Sequence, residues 1–97
     1  MQSVHKVEII VSSLKLDRVL KILDNIGVSG YTVIDNTIGK GDRGFTDTDL
    51  DRVFSNAYIL TVCTDDQQLD RLTEEITPVL KKVGGICLVT EATWISH

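Results

Sequence analysis

The densest run of chemistry-bearing residue types in this sequence is Gly39-Lys40-Gly41-Asp42-Arg43-Gly44. Glycines let backbone N–H groups approach a phosphate closely, and Lys40 and Arg43 bring positive charge to the same place. The spacing is G-x-G-x-x-G, but a dinucleotide-binding motif of that form opens a helix inside a parallel βαβ unit. Here FTDTDLD follows without an apolar helical stripe, and 97 residues are too few for a dinucleotide domain. The run is thus a phosphate-contacting glycine turn or a solvated one. Just beyond it, Asp47, Asp49 and Asp51 alternate as at the start of a calcium loop. That loop needs Gly at its sixth position and Glu at its twelfth; this chain has Arg52 and Tyr58 there. The aspartates therefore read as a solvated or partner-facing acidic surface. His5 and His97 stand alone, with no Cys or His at ligand spacing, so no metal site is expected. No nucleophile, base and orienting group fall at suggestive spacing, so no catalytic residue is assigned and the chain is not expected to be an enzyme. Cys63 and Cys87 lie inside apolar runs and read as buried free thiols. Tyr31 and Tyr58 fall on different strands; without an RNA-binding signature they do not make a base-stacking platform.

Composition narrows the classes further. The length fits one domain, 1–97. The formal charge of −4 and isoelectric point of about 4.9 disfavour a nucleic-acid backbone as partner, since that needs a basic face. A single nucleotide held by one or two cations remains compatible. No apolar run is long enough to span a membrane. The N-terminal MQSVHKVEIIV carries Lys6 and Glu8 within its apolar part and does not read as a signal peptide. A cytoplasmic protein is the expectation.

The elements that must position these residues follow from hydrophobic period. Val4–Val11 is a strand with Val7, Ile9 and Val11 on one face. Leu14–Ile26 is a helix: Leu16, Val19, Leu20, Leu23 and Ile26 share a face, Ser12 or Ser13 caps its start, and Gly27 stops it. Ser29–Thr37 is a second strand and Ala57–Cys63 a third. Asp65 and Asp66 open a second helix carrying Leu69, Leu72, Ile76, Val79, Leu80 and Val83, with Lys81 and Lys82 at its end. Pro78 predicts a kink there, or a short second turn from Thr77. Gly84-Gly85 ends the helix, Ile86–Ala92 is the last strand, and Thr93–His97 is a tail holding Trp94.

The order βαββαβ predicts an α+β, ferredoxin-like fold: a four-stranded antiparallel sheet with both helices on one face. Ile10, Leu60, Val62 and Leu88 then line the other face, which predicts that another chain covers it. Residues 38–56 form a 19-residue connection, far longer than the usual 4–6 or so. Its later part holds Phe45, Leu50, Val53 and Phe54 among aspartates and Arg52. These apolar side chains have no place in a four-stranded core, so Phe45, Leu50, Arg52, Val53 and Phe54 are the candidate partner-binding residues. The tip is expected to be mobile when nothing is bound.

The run KVEIIVSSLKLDRVLKILDNIGVSGYTVIDNTIGKGDRG resembles the first half of the PII signal-transduction proteins. The GYTV strand followed by GKG is similar to the PII-like branch that includes regulators of bicarbonate transport and carboxysome-associated proteins. The second half agrees in element order. The resemblance implies a homotrimer that binds an adenine nucleotide (AMP, ADP or ATP) between subunits. It implies that the 38–56 segment, the T-loop of the family, regulates a transporter or metabolic enzyme. By the same resemblance Ser29 matches a hydroxyl near the adenine; Gly39, Lys40, Gly41 and Arg43 match the phosphate-facing base of the loop; and Gly84 and Gly85 stand where the second nucleotide loop lies. This chain departs from the pattern in places. The long nucleotide loop TGxxGDGKIF is reduced to KKVGGICL, leaving only Lys81 or Lys82 to replace its lysine. ATWISH follows the last strand without a basic pair. A weak phosphate grip is expected, and with no Tyr in the loop the usual nucleotidylation has no acceptor. A second arrangement on the same frame is a trimeric metal- or metabolite-binding module using Cys63, Cys87 and the aspartates.

Overall fold

The computed structural model describes residues 1–39 and 55–95. The elements are β1 (Gln2–Ser12), a 3-10 turn (Ser13–Lys15), α1 (Leu16–Ile26), β2 (Tyr31–Thr37), β3 (Asn56–Cys63), α2 (Asp66–Val83) and β4 (Ile86–Trp94). The strands form one antiparallel sheet in the order β2-β3-β1-β4. The α+β, ferredoxin-like βαββαβ arrangement expected from the period of the sequence is the one observed.

Alternation on β1 puts Val7, Ile9 and Val11 on the helix side, where they pack with Ile59 of β3, Val19, Ile22, Leu23 and Ile26 of α1, and Leu72, Ile76 and Val79 of α2. Apolar burial in this layer is the main stabilising term. The helix ends follow local rules. Gly27 closes α1 at φ +78, with its N–H on the Leu23 and Asp24 carbonyls. Further carbonyls at that end accept from α2: the Gln68 amide reaches the Gly27 oxygen at 3.0 Å and Arg71 the Asn25 oxygen at 3.3 Å. Asp65 caps α2 by accepting from the Gln68 N–H at 2.8 Å.

Several details differ from expectation. The first helical turn is a 3-10 turn, because Ser12 Oγ accepts from the Leu14 N–H and tightens the corner. β2 starts at Tyr31, not Ser29, because the turn that stops α1 continues through Val28, whose N–H also bonds the Leu23 carbonyl. β4 runs on to Trp94, paired with Gln2, so Trp94 belongs to the sheet. Helix α2 passes through Pro78 unbroken. Pro78 is exposed and lacks only the N–H that would meet the Glu74 carbonyl. Burial of Leu72, Ile76 and Val79 along the opposite stripe holds the helix together across it.

Cys63 is buried and Cys87 half-buried, and both are free thiols. Burial, then the nearby Cys87 and Asp65, push the Cys63 thiol up to about 11. The native state therefore keeps a neutral thiol where the unfolded chain ionises near 9. This stabilisation is complete below pH 9 and lost as pH rises to 11, on the order of 2–3 kcal/mol. Urea unfolding of wild type should show this alkaline decline beyond that of Cys63→Ala; matching slopes from pH 8 to 11 would refute it.

Candidate functional site

The ends of the long connection leave the sheet through a polar network. The Ser13 hydroxyl donates to Asp35 Oδ1 at 2.6 Å and lies 3.0 Å from Ser55 Oγ. The Ser13 N–H donates to the Ser55 carbonyl at 2.9 Å. Asp35 Oδ1 also accepts the Asn36 N–H at 2.8 Å, and Ser55 Oγ donates to Asn36 Oδ1 at 3.4 Å. These bonds, that from Ser13 first, hold the Asp35 carboxyl below its usual range. Asn36 sits at φ +60, at the register shift between Ile34 and Thr37. Asn tolerates this left-handed conformation better than most residues. Across the connection, the Thr37 hydroxyl donates to the Asn56 carbonyl at 2.9 Å.

Gly39 lies at this base, where an added Cβ would stand 3.9 Å from the Asn56 amide nitrogen. Gly84 and Gly85 form the α2–β4 turn at φ +79 and +114. Gly85 presses on β1 so closely that a Cβ would lie 2.6 Å from the Ile10 carbonyl oxygen. Asn56 pairs with Ser12, and Ile86 with Ile10. Gly39 and the Gly84-Gly85 turn thus flank the same end of β1. Ser29 does not join them: β2 begins level with Thr61, which pairs with Val7, and Ser29 lies beyond that start. Lys40, Gly41, Arg43, Phe45, Leu50, Arg52, Val53 and Phe54 fall outside the described residues, as does the expected mobility of the tip.

A different concavity, of about 490 Å³, lies towards the opposite end of β1 and is lined by His5, Thr64, Asp65, Asp66, Glu91 and Thr93 among others. His5 Nε2 meets Asp66 Oδ1 there at 2.9 Å. Its acidic lining is unsuited to phosphate. Among the described residues no group of three or more His, Cys, Asp or Glu side chains could hold a metal ion, and no helix is long and apolar enough to cross a membrane.

Sequence reasoning missed Ser13, Asp35, Asn36 and Ser55. The available signal was the Asp-Asn pair closing β2, because both residues bond their own backbone and tolerate turn conformations.

A split βαβ sheet with both helices on one face, and a Gly84-Gly85 turn at the same sheet end as Gly39, defines a ferredoxin-like protein with a loop base as its candidate site. The chain belongs to the family of the nitrogen regulatory protein P-II, whose model it matches over residues 4–97. It is 30% identical over 74 residues to the UPF0166 protein MJ1524 of Methanocaldococcus jannaschii, covering 75% of this chain and 68% of that one. Among solved structures it is similar to CPII, a nitrogen regulatory PII-like protein from Thiomonas intermedia K12 bound to ADP, AMP and bicarbonate. There the TM-score is 0.80 and the identity 26%, over 93% of this chain and 86% of the other. The B. subtilis GlnK-ATP complex shares the fold at a TM-score of 0.67 and 23% identity, over 95% and 84% of the two chains.

Proposed function

We propose that this chain is a non-enzymatic, cytoplasmic P-II-type regulator. It assembles as a homotrimer, binds an adenine nucleotide between subunits, and signals its occupancy to a transporter or metabolic enzyme through residues 38–56. The observation that supports this most is that Gly39 and the Gly84-Gly85 turn stand at the same end of the sheet, level with the last residues of β1. Lys40, Gly41 and Arg43 continue from Gly39 in sequence and supply the phosphate contacts. Ser29, set apart from that end of its own chain, serves the site of a neighbouring copy. The ADP and AMP bound in the CPII structure support an adenine nucleotide as the ligand class. Phe45, Leu50, Arg52, Val53 and Phe54 provide the partner contacts.

The expected mass in light scattering is about three times the 10.8 kDa of one chain. Calorimetry and thermal shift with AMP, ADP and ATP should give micromolar binding of at least one, near 8 kcal/mol. The short Gly84-Gly85 turn predicts that ATP gains little over ADP. No heat and no shift with any of the three would overturn the nucleotide assignment.

A further inference from the structure

The sheet face away from the helices is apolar over much of its area. Ile34, Ile86 and Leu88 are about half exposed there, and Ile10, Tyr58, Leu60 and Val62 are partly covered. Near its middle stands a carboxylate. Glu8 on β1 is flanked by Leu60 of β3 and Leu88 of β4, its cross-strand partners. Tyr58 Oη donates to Glu8 Oε2 at 2.6 Å, and Lys6 Nζ lies 3.7 Å from Oε1. By strand alternation, Lys6 and Glu8 are the charged side chains of this face among the described strand residues.

We propose that the Lys6–Glu8–Tyr58 cluster fixes the number and register of the copies of this chain that close over the sheet face. This rests on the assembly in the proposed function and adds the determinant of its copy number. The occupant is a second copy, because the face complements itself. It carries one cation and one carboxylate in a chain of net charge −4, so a copy's Lys6 can meet this Glu8, whereas a strongly basic or acidic partner finds no matching field. Apolar contact is non-directional and permits several packings. A carboxylate and an ammonium taken out of water must keep partners, and an unpaired one is strongly penalised. Only arrangements that satisfy Glu8 and Lys6 survive, as a buried polar residue sets strand number in coiled coils.

The test uses the full chain with Lys6→Met/Glu8→Leu and, separately, Tyr58→Phe. Native mass spectrometry should give wild type one mass and the double variant a mixture of masses, with dissociation shifted to higher urea. Tyr58→Phe, which removes one charge-assisted hydrogen bond and little volume, should speed subunit exchange about tenfold. A double variant with the wild-type single mass, together with unchanged exchange in Tyr58→Phe, overturns the cluster's role and leaves the assembly standing. A wild type that stays monomeric at all concentrations overturns both. If the double variant does not fold, the exchange rate of Tyr58→Phe decides alone.

Discussion

Gly85→Ala is expected to cost about 3 kcal/mol or more of folding stability, several times the loss from the same change at Gly27. Two effects combine at Gly85. Its φ of +114 lies where an L side chain is strained, a cost of about 1–3 kcal/mol. The new Cβ would also lie 2.6 Å from the Ile10 carbonyl oxygen, 3.1 Å from Val11 Cγ1 and 3.3 Å from Leu80 Cδ2. The first of these atoms is backbone in β1, which is paired on both sides by β3 and β4. It cannot yield without disturbing both ladders. Gly27, at φ +78 with nothing within 4 Å of its Cβ position, pays only the conformational term, about 1 kcal/mol. Against a total stability of about 5–15 kcal/mol, the loss at Gly85 is easily resolved in urea melts followed by circular dichroism. Equal losses at the two sites would show that β1 and β4 separate at little cost. The consequence for function is direct: Gly85 is held to glycine by the fold, so lost nucleotide binding in Gly85→Ala would not identify it as a ligand contact.

The residues that could be read from the sequence are those that obey a local period. Val7, Ile9 and Val11 follow the strand alternation, and Val19, Leu23 and Ile26 the helical one; all six are buried. Gly27 as a left-handed stop and Asp65 at the start of α2 also follow from chemistry within a few residues. Pro78 shows the limit of such rules. Its local penalty is real, but the buried stripe of α2 outweighs it, and that stripe depends on the sheet beneath. The loop base shows another limit. Ser13 finds Asp35 at a separation of 22 residues and Ser55 at 42, and nothing in serine or aspartate as residue types announces a distant partner. Glu8 was legible only as a charge inside a strand. Its place between Leu60 and Leu88 emerges once the register is known.

Replacing Lys40 and Arg43 together by alanine should weaken nucleotide binding by about 10²- to 10⁴-fold. A charge-assisted hydrogen bond contributes about 1.5–3 kcal/mol, and each tenfold in affinity is about 1.4 kcal/mol. Two such contacts to phosphate would carry a micromolar complex to the edge of detection. The fold should not respond, because the bonds that anchor the flanking chain lie elsewhere: Thr37 to Asn56, and Ser13 to Ser55 and Asp35. The melting temperature without nucleotide is therefore expected to match wild type, while the shift induced by ADP disappears. Salt supplies an independent check, since contacts between exposed charges and phosphate weaken as the Debye length falls below about 10 Å. Wild-type affinity should drop with ionic strength, and that of the double variant should be nearly flat. Affinity within twofold of wild type would move the phosphate end of the site away from Gly39–Gly44. The next candidates are then Lys81 and Lys82 in the last turn of α2, beside the Gly84-Gly85 turn. The same calorimetric titration on Lys81→Ala and Lys82→Ala would separate a displaced phosphate site from no phosphate contact at all.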